Sequence, residues 1–221
     1  MTTNLSIELN QLIVPPGQSV LLQNVSWQQF EDILLELGEH RSSKITYYDQ
    51  TLEIMTPLPE HEYFKSSIGD LVKDLADELG FEYECFGSTT WRKRKEAAGA
   101  EPDECFYIQN FPAIRGRLDI DLSQDPPPDL VLEIDITSKS LDSLPIYARL
   151  GVSEVWRYDR KQLRIYQLIS GTYVETEASI AFPKFPVKSL LNFIQQNLAD
   201  GRRALRQSFR VWVRQNIQKY V

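Results

Sequence analysis

The chain has 221 residues, a formal net charge of −7 and 42% hydrophobic residues. This composition predicts one globular domain with short appendages at most. It also argues against a non-specific nucleic-acid coat protein, whose affinity comes from basic residues that neutralise phosphates. No apolar run approaches the roughly 20 residues that a membrane span needs, and no secretory signal opens the chain. Two cysteines outside any Cys-x-x-Cys pattern favour a reduced, cytoplasmic protein without a disulfide scaffold.

The first part of the chain carries clear helix and hairpin patterns. Apolar residues at helical spacing follow Ser26, a typical N-cap, and stop at Gly38. In chain order we predict an irregular to extended N-terminus (1–25), a helix (27–37), a β-hairpin (44–48 and 51–55) and a long amphipathic helix (Glu60–Leu79).

The rest of the chain reads mainly as strands. The predicted strands are 81–86, 89–93, 104–108, 130–136, 155–159, 163–168 and 172–175. The predicted helices are 144–150, 190–198 and 202–219, and residues 111–127 form a loop with at most a short element. Strand 130–136 is apolar enough to be buried on both faces. We therefore expect an α/β fold, with a central mixed sheet flanked by helices, an N-terminal hairpin and a C-terminal helical extension.

Two Pro-Asp pairs, each followed by a strand, are the main chemical signal. Pro102-Asp103 opens strand 104–108, and Pro128-Asp129 opens strand 130–136. Glu133 stands inside the second, apolar strand, where an acid costs several kcal/mol unless it is paired or bound to a metal. Asp135 points the same way as Glu133 because alternate strand residues share a face. If the strands are neighbours, these acids converge with Asp103 on a divalent cation.

Cleavage of a phosphodiester at such a site also needs a cationic side chain that orients water and stabilises charge on the phosphoryl group. The strand offers Asp135 rather than a lysine at the position two after Glu133. Lys139 is the nearest downstream candidate, and Lys93 and Lys95 are weaker ones. The basic run that holds Arg92, Lys93 and Lys95 is also the candidate surface for nucleic acid.

Each candidate has a structural alternative. Asp103 and Asp129 are both able to cap a turn, and for Asp129 we favour that interpretation. Asp135 is equally a salt-bridge partner for a nearby arginine or lysine. His61, on the apolar side of its helix, is more often a structural histidine than a base.

The basic segments have structural alternatives as well. The Arg92–Lys95 run also suits a solvated sheet edge. The C-terminal arginines alternate with apolar residues at helical spacing, which predicts an amphipathic helix that docks on the domain or on a second subunit.

Several motifs together resemble the Uma-two family of restriction-endonuclease-like proteins, in particular its cyanobacterial branch. They are residues 99–108, residues 128–138, Tyr147, and the segment 151–159 with its Glu-Val-Trp-Arg-Tyr-Asp sequence. The helix led by His61 also fits, and the resemblance covers roughly residues 25–190. Many relatives have a lysine about one turn before the tyrosine that corresponds to Tyr147, where this chain has Ser143.

The resemblance implies the nuclease fold with the Pro-Asp…Asp/Glu-x-Lys motif and a Mg²⁺- or Mn²⁺-dependent endodeoxyribonuclease. Asp103 and Glu133 would bind the metal, Asp135 and Lys139 would complete the catalytic set, and His61 and Glu101 would be accessory. DNA is the expected substrate and a homodimer the expected assembly. The alternative is an inactive nuclease-fold protein that binds nucleic acid or another protein. We expect the domain to span 1–198 and the helical extension 199–221.

Overall fold

The structure is a computed structural model that describes residues 9–38, 42–136 and 141–216. Its strands are β1 (Ser19–Gln23), β2 (Lys44–Tyr48), β3 (Thr51–Met55), β4 (Glu84–Cys85), β5 (Trp91–Lys93), β6 (Ala98–Ala100), β7 (Glu104–Tyr107), β8 (Leu130–Ile134), β9 (Glu154–Tyr158), β10 (Leu163–Ile169) and β11 (Thr172–Thr176). Its α-helices are α1 (Trp27–Leu37), α2 (Pro59–Leu79), α3 (Phe111–Ile114), α4 (Leu144–Leu150), α5 (Ser189–Gln196) and α6 (Gly201–Asn216).

The strands form two sheets. The smaller sheet has the order β1-β3-β2-β6-β5, and all its pairs are antiparallel. The larger sheet has the order β11-β10-β9-β8-β7-β4, and β8 and β9 are its one parallel pair among the described residues. Helix α4 connects these two strands, as a parallel connection requires. The predicted α/β class is therefore confirmed, with a mixed sheet of six strands at its centre.

Strand β8 is buried on both faces, and its alternate residues enter different cores. Leu130, Leu132 and Ile134 pack with α2, α5 and α6. Val131 packs on the opposite face, with α4 and with residues of β5 and β6 from the smaller sheet. Because strand side chains alternate, Glu133 also points to this second face. The acid is thus directed toward α4 and the smaller sheet.

Helix α2 crosses the first face of the larger sheet closely. A Cβ added to Gly69 would lie 3.3 Å from Cγ of Glu104 on β7, so a larger residue there would require the Glu104 side chain to shift. Pro59 occupies the first turn, where its missing N–H costs nothing, and Gly80 ends the helix in a left-handed conformation. The N-terminal turn carries His61, which this packing places beside the start of β7.

Helix α6 docks on α2 of the same chain. Leu205, Phe209 and Val213 enter the larger apolar core. Arginines on the adjoining side pair with the acids of α2: Arg206 with Asp74, and Arg210 and Arg214 with Glu78. Docking on the domain is therefore confirmed, whereas the homodimer and the division of the chain at residue 198 stay predictions. Part of the predicted helix 202–219 lies outside the described residues.

The structure corrects several predicted boundaries. Residues 19–23, expected to be irregular or extended, form an edge strand beside β3, and residues 98–100, with no predicted element, form β6. The strand predicted at 81–86 is reduced to β4, and the loop 111–127 begins with α3. The predicted hairpin 44–55 belongs to the smaller sheet and does not extend the central one.

The strand β6 was missed because its sequence is Ala-Gly-Ala, which has no alternating pattern. Small residues are required there: a Cβ on Gly99 would lie 3.0 Å from the ring of Phe30 in α1. Within the described parts of the chain, the longest helices are too polar or too short to cross a membrane. The cytoplasmic location stays a prediction.

Candidate active site

Asp103 lies at the entrance to β7 and is almost completely buried, with 1% of its surface exposed. Its backbone N–H donates to the Leu132 carbonyl at 3.1 Å, which continues the ladder between β7 and β8. Its carboxylate reaches across to the neighbouring strand, where Oδ2 accepts the Ile134 N–H at 2.6 Å. Asp103 and β8 are therefore joined as the sequence predicted, and the backbone fixes the carboxylate.

Glu133 is 2% exposed and is held from α4. The hydroxyl of Tyr147 donates to Oε1 of Glu133. Burial, and after it the proximity of Glu133, raises the pKa of Tyr147 well above its ordinary value. The phenol therefore stays protonated and remains a donor. Helix α4 thus orients the carboxylate that β8 presents.

Lys44 of the smaller sheet joins the two acids. Its Nζ lies 2.6 Å from Oδ1 of Asp103 and 3.6 Å from Oε2 of Glu133. Its side chain is 12% exposed. Two buried carboxylates need a compensating charge, and this amine supplies one. Asp103 and Glu133 therefore both lie beside one cationic group, the amine of Lys44.

Two predicted accessory residues surround this centre. Nε2 of His61, which is fully buried, lies 3.1 Å from Oδ1 of Asp103, although neither ring nitrogen has an aligned hydrogen bond to the described residues. Glu101 accepts the Ile45 N–H at 3.2 Å and the Thr90 hydroxyl at 2.6 Å. His61 therefore contacts the site directly, whereas Glu101 connects the strand that carries Lys44 to the segment before β5.

The remaining predicted acids have structural partners. Asp135 lies beyond the end of β8, and its Oδ2 accepts from Nε of Arg157 at 2.5 Å, so the ion-pair alternative is realised. Asp129 accepts the N–H groups of Ile108 and Asn110 at 2.7 and 2.8 Å, which confirms its turn-capping role. Lys139 lies outside the described residues.

Three residues of this region were not predicted as site residues. Lys44 is 59 residues from Asp103 and no local pattern marks it, whereas Tyr147 belongs to the motifs of the family resemblance but was not assigned a role at the site. Glu53 of β3 is 3% exposed and accepts the Leu141 N–H at 3.2 Å. Glu53 did carry a usable signal, because it is an acid inside an apolar strand, like Glu133.

A surface cleft of about 420 Å³ leads to the amine. Lys44 and Glu101 line it, together with Ser88. Ser88 also lines a second depression of about 690 Å³, whose wall includes Arg92. Lys44 lines the first cleft, whereas Asp103 and Glu133 do not, so Lys44 is the member of this group that faces it.

The predicted nucleic-acid-binding residues lie at the other end of the smaller sheet. Lys93 on β5 lies opposite Ala98 on β6, and Ala98 lies opposite Tyr48 on β2. Tyr48 is four residues beyond Lys44, so Lys93 and Lys44 are offset by about 13 Å along the strands. Arg92 pairs with Glu31 at 3.0 Å, and Lys93 donates to the Leu150 carbonyl at 2.7 Å. Lys95 is exposed. The basic run and the acids therefore make no direct contact, and they are related only through the two surface depressions that share Ser88.

The donor set suits a hydrated cation. Mg²⁺ binds proteins through one or two carboxylates and keeps several waters or substrate phosphates as its other ligands. Asp103 and Glu133 provide two hard oxygen donors at a position that already holds a positive charge. The described residues contain no group of three or more His, Cys, Asp or Glu side chains that could hold a metal. Water and substrate would therefore supply the remaining ligands.

Comparison with known proteins identifies the family and supports the fold. The model of the Uma2 family, described as "Putative restriction endonuclease", matches residues 27–199. Among solved structures, the chain is similar to a putative nuclease of the DUF820 family from Anabaena variabilis. The identity is 16%, the TM-score is 0.50, and the alignment covers 73% of this chain and 96% of the other. At this identity the likeness shows the fold. No curated protein matches the chain.

Proposed function

The chain belongs to the Uma2 family of putative restriction endonucleases, and on that premise we propose that it is a metal-dependent endonuclease that hydrolyses phosphodiester bonds in DNA. The observation that supports this function most directly is the convergence of Asp103 and Glu133 on one cationic group. Two buried acids from neighbouring strands, reached through a surface cleft, are suited to bind a metal. Burial against Tyr147, His61 and the backbone holds them in place before any ligand arrives.

Mg²⁺ or Mn²⁺, when bound, would polarise the phosphoryl oxygen and lower the pKa of water. Asp103 and Glu133 would hold it. In the overall reaction, the water oxygen bonds to phosphorus, the P–O bond to the leaving alcohol breaks, and that alcohol takes up a proton. Asp135 supports the region through its ion pair with Arg157. The sequence also suggested Lys139 for orienting the attacking water, but Lys139 lies outside the described residues and its role stays a prediction.

The surface offers a path for the DNA backbone. The cleft at Lys44 and the depression at Arg92 share Ser88, and a third depression includes Arg92, Lys93 and Arg94. Because this run lies about 13 Å from Lys44 along the strands, any phosphate that it contacts is a different one from the phosphate at the acids. We propose that Arg92, Lys93 and Lys95 contact phosphates outside the reacting centre, which fixes the position of the strand without reading its sequence.

The decisive experiment compares isosteric variants on supercoiled plasmid DNA, which reports internal cleavage. Asp103→Asn and Glu133→Gln each retain side-chain volume, and Glu175→Gln on the exposed part of β11 is the matched control. We expect relaxed and linear products only with Mg²⁺ or Mn²⁺, and a rate loss of about 100-fold or more in both site variants. Unchanged cleavage in both variants, or cleavage in EDTA, would refute the proposal.

The near-complete burial of the acids favours, as a second candidate, an inactive nuclease-fold protein that binds nucleic acid. Calorimetric titration separates the two candidates. Heat on addition of Mn²⁺ that disappears in Asp103→Asn supports the nuclease. Intact DNA binding without any heat from Mg²⁺ or Mn²⁺ supports the inactive protein.

A further inference from the structure

We propose that Lys44 is the catalytic lysine of this protein, supplied from the smaller sheet in place of a lysine on the strand of Glu133. This inference rests on the proposed nuclease function and names the residue that would touch the reacting phosphate. Three observations carry it: the contacts of the amine, its place in the cleft, and the absence of a lysine at the two positions where the resemblance leads one to expect it.

The first observation is contact with both acids. The Nζ of Lys44 is 2.6 Å from Asp103 and 3.6 Å from Glu133, and the two oxygens that it contacts belong to the two proposed metal ligands. A group beside both ligands lies within reach of the phosphoryl oxygen or water that shares the cation with them. Its positive charge would then stabilise the negative charge that develops on phosphorus.

The second observation is the position of Lys44 between the cleft and the acids. Lys44 lines the cleft, whereas Asp103 and Glu133 are 1% and 2% exposed. A phosphodiester that enters the cleft therefore meets the amine before it meets the acids. The flexible four-carbon stem of lysine allows the amine to turn from the carboxylates toward the phosphate when a metal replaces it. In the metal-free protein the same amine compensates the two buried negative charges.

The third observation concerns the alternatives. Position 135 is an aspartate whose side chain is bound to Arg157. Position 143 is a buried serine whose hydroxyl has no hydrogen-bond partner within the described ranges. Neither position supplies an amine. Lys44 brings one to the acids from β2, 59 residues before Asp103 in the sequence.

The test uses Lys44→Met, which removes the amine but keeps an unbranched side chain, with Lys44→Arg as the charge-retaining variant. Lys188→Met is the matched control, since Lys188 pairs with Glu177 on an exposed surface. Two quantities are measured on the full chain: plasmid cleavage with excess Mn²⁺, and Mn²⁺ binding by electron paramagnetic resonance in the absence of DNA. Thermal melting verifies that each variant is folded.

We expect Lys44→Met to cleave about 100-fold more slowly than the wild type. Its Mn²⁺ affinity should be equal or higher, because the amine no longer competes for the carboxylates. Lys44→Arg should recover part of the rate. Cleavage by Lys44→Met within threefold of the wild type would overturn the assignment. A joint loss of cleavage and Mn²⁺ binding would also overturn it, since Lys44 would then only support the acids.

Failure of the nuclease function itself has a different signature. The wild type would then cleave no plasmid with either metal, and the assignment of Lys44 would fall with the function. If Lys44→Met does not fold, Lys44→Gln replaces it in the comparison with Lys44→Arg. Equal rates in those two variants would exclude a role for the charge, and a slower Lys44→Gln that still binds Mn²⁺ would support it.

Discussion

The hydrogen bond from Tyr147 to Glu133 gives a quantitative test of how the site is held. The change Tyr147→Phe removes one hydroxyl from a residue that is fully buried in α4 and leaves the aromatic packing in place. Glu133, 2% exposed, then loses a donor that water cannot easily replace. The expected result is a less stable protein whose metal-binding carboxylate is less well oriented.

The magnitude follows from the type of acceptor. A hydrogen bond to a charged group contributes roughly 1.5–3 kcal/mol net, compared with about 0.5–1.5 kcal/mol for a neutral pair. In a chain of this size, 1 kcal/mol shifts the melting temperature by about 2–4 °C. We therefore expect Tyr147→Phe to lower the melting temperature by about 3–12 °C. Loss of an outer partner of a metal ligand also weakens metal affinity by about 10-fold or more.

The matched control is Tyr173→Phe, which removes a hydroxyl that donates to the neutral Val152 carbonyl at 2.6 Å. Calorimetric melting and urea titration of both variants, at neutral pH and without metal, give the two losses of stability. Tyr147→Phe should lose about 1 kcal/mol more than Tyr173→Phe. An equal or smaller loss would show that the phenol does not stabilise a buried charged Glu133, and the reasoning would fail.

Two further predictions concern charge. The hydrogen bond from Arg214, against the opposing effect of burial and with help from Arg210, lowers the pKa of Glu78 below its ordinary value of 4.5. Glu78 therefore contributes stability at neutral pH that is lost as the pH falls below 4.5. The free energies of unfolding of Glu78→Gln and the wild type, measured by urea titration, should differ at pH 7 and converge in acid. A difference that stays constant with pH would contradict this prediction. In filter binding to DNA, Lys95→Ala should reduce the steepness of the plot of log binding constant against log salt concentration by about 0.9, as expected for the loss of one phosphate contact. The control Lys188→Ala should leave the slope unchanged. An unchanged slope for Lys95→Ala would show that Lys95 contacts no phosphate.

Much of the larger sheet was accessible from the sequence because its strands carry strong local patterns. The apolar run of β8 predicted a strand buried on both faces. An acid inside such a strand needs a partner or a metal, and this marked Glu133 as a candidate site residue. The Pro-Asp pair at Asp103 marked the start of the neighbouring strand. The predicted convergence depended on the assumption that these consecutive strands are neighbours, and the structure pairs them antiparallel, with Glu104 opposite Leu132.

The partners of the acids were not accessible in the same way. Lys44 is the first residue of a hairpin strand, and nothing in its neighbourhood distinguishes it from an ordinary surface lysine. It reaches Asp103 because β6, a strand of two alanines and a glycine, packs the smaller sheet against the larger one. Local propensity contains no information about such packing, since it depends on how distant segments approach each other.

The acids and the amine belong to two sheets that share an apolar cluster through β5 and β6, whereas the hairpin that carries Lys44 packs mainly in a cluster of its own. Divergence within the smaller sheet is therefore able to alter reactivity while the carboxylates keep their backbone support. On the proposed assignment of Lys44, a substitution of this lysine, together with a second change that compensates the two buried negative charges, would give a folded protein that binds DNA without cleaving it. On this assignment, a single strand of the hairpin therefore carries the difference between a nuclease and an inactive protein of the same fold.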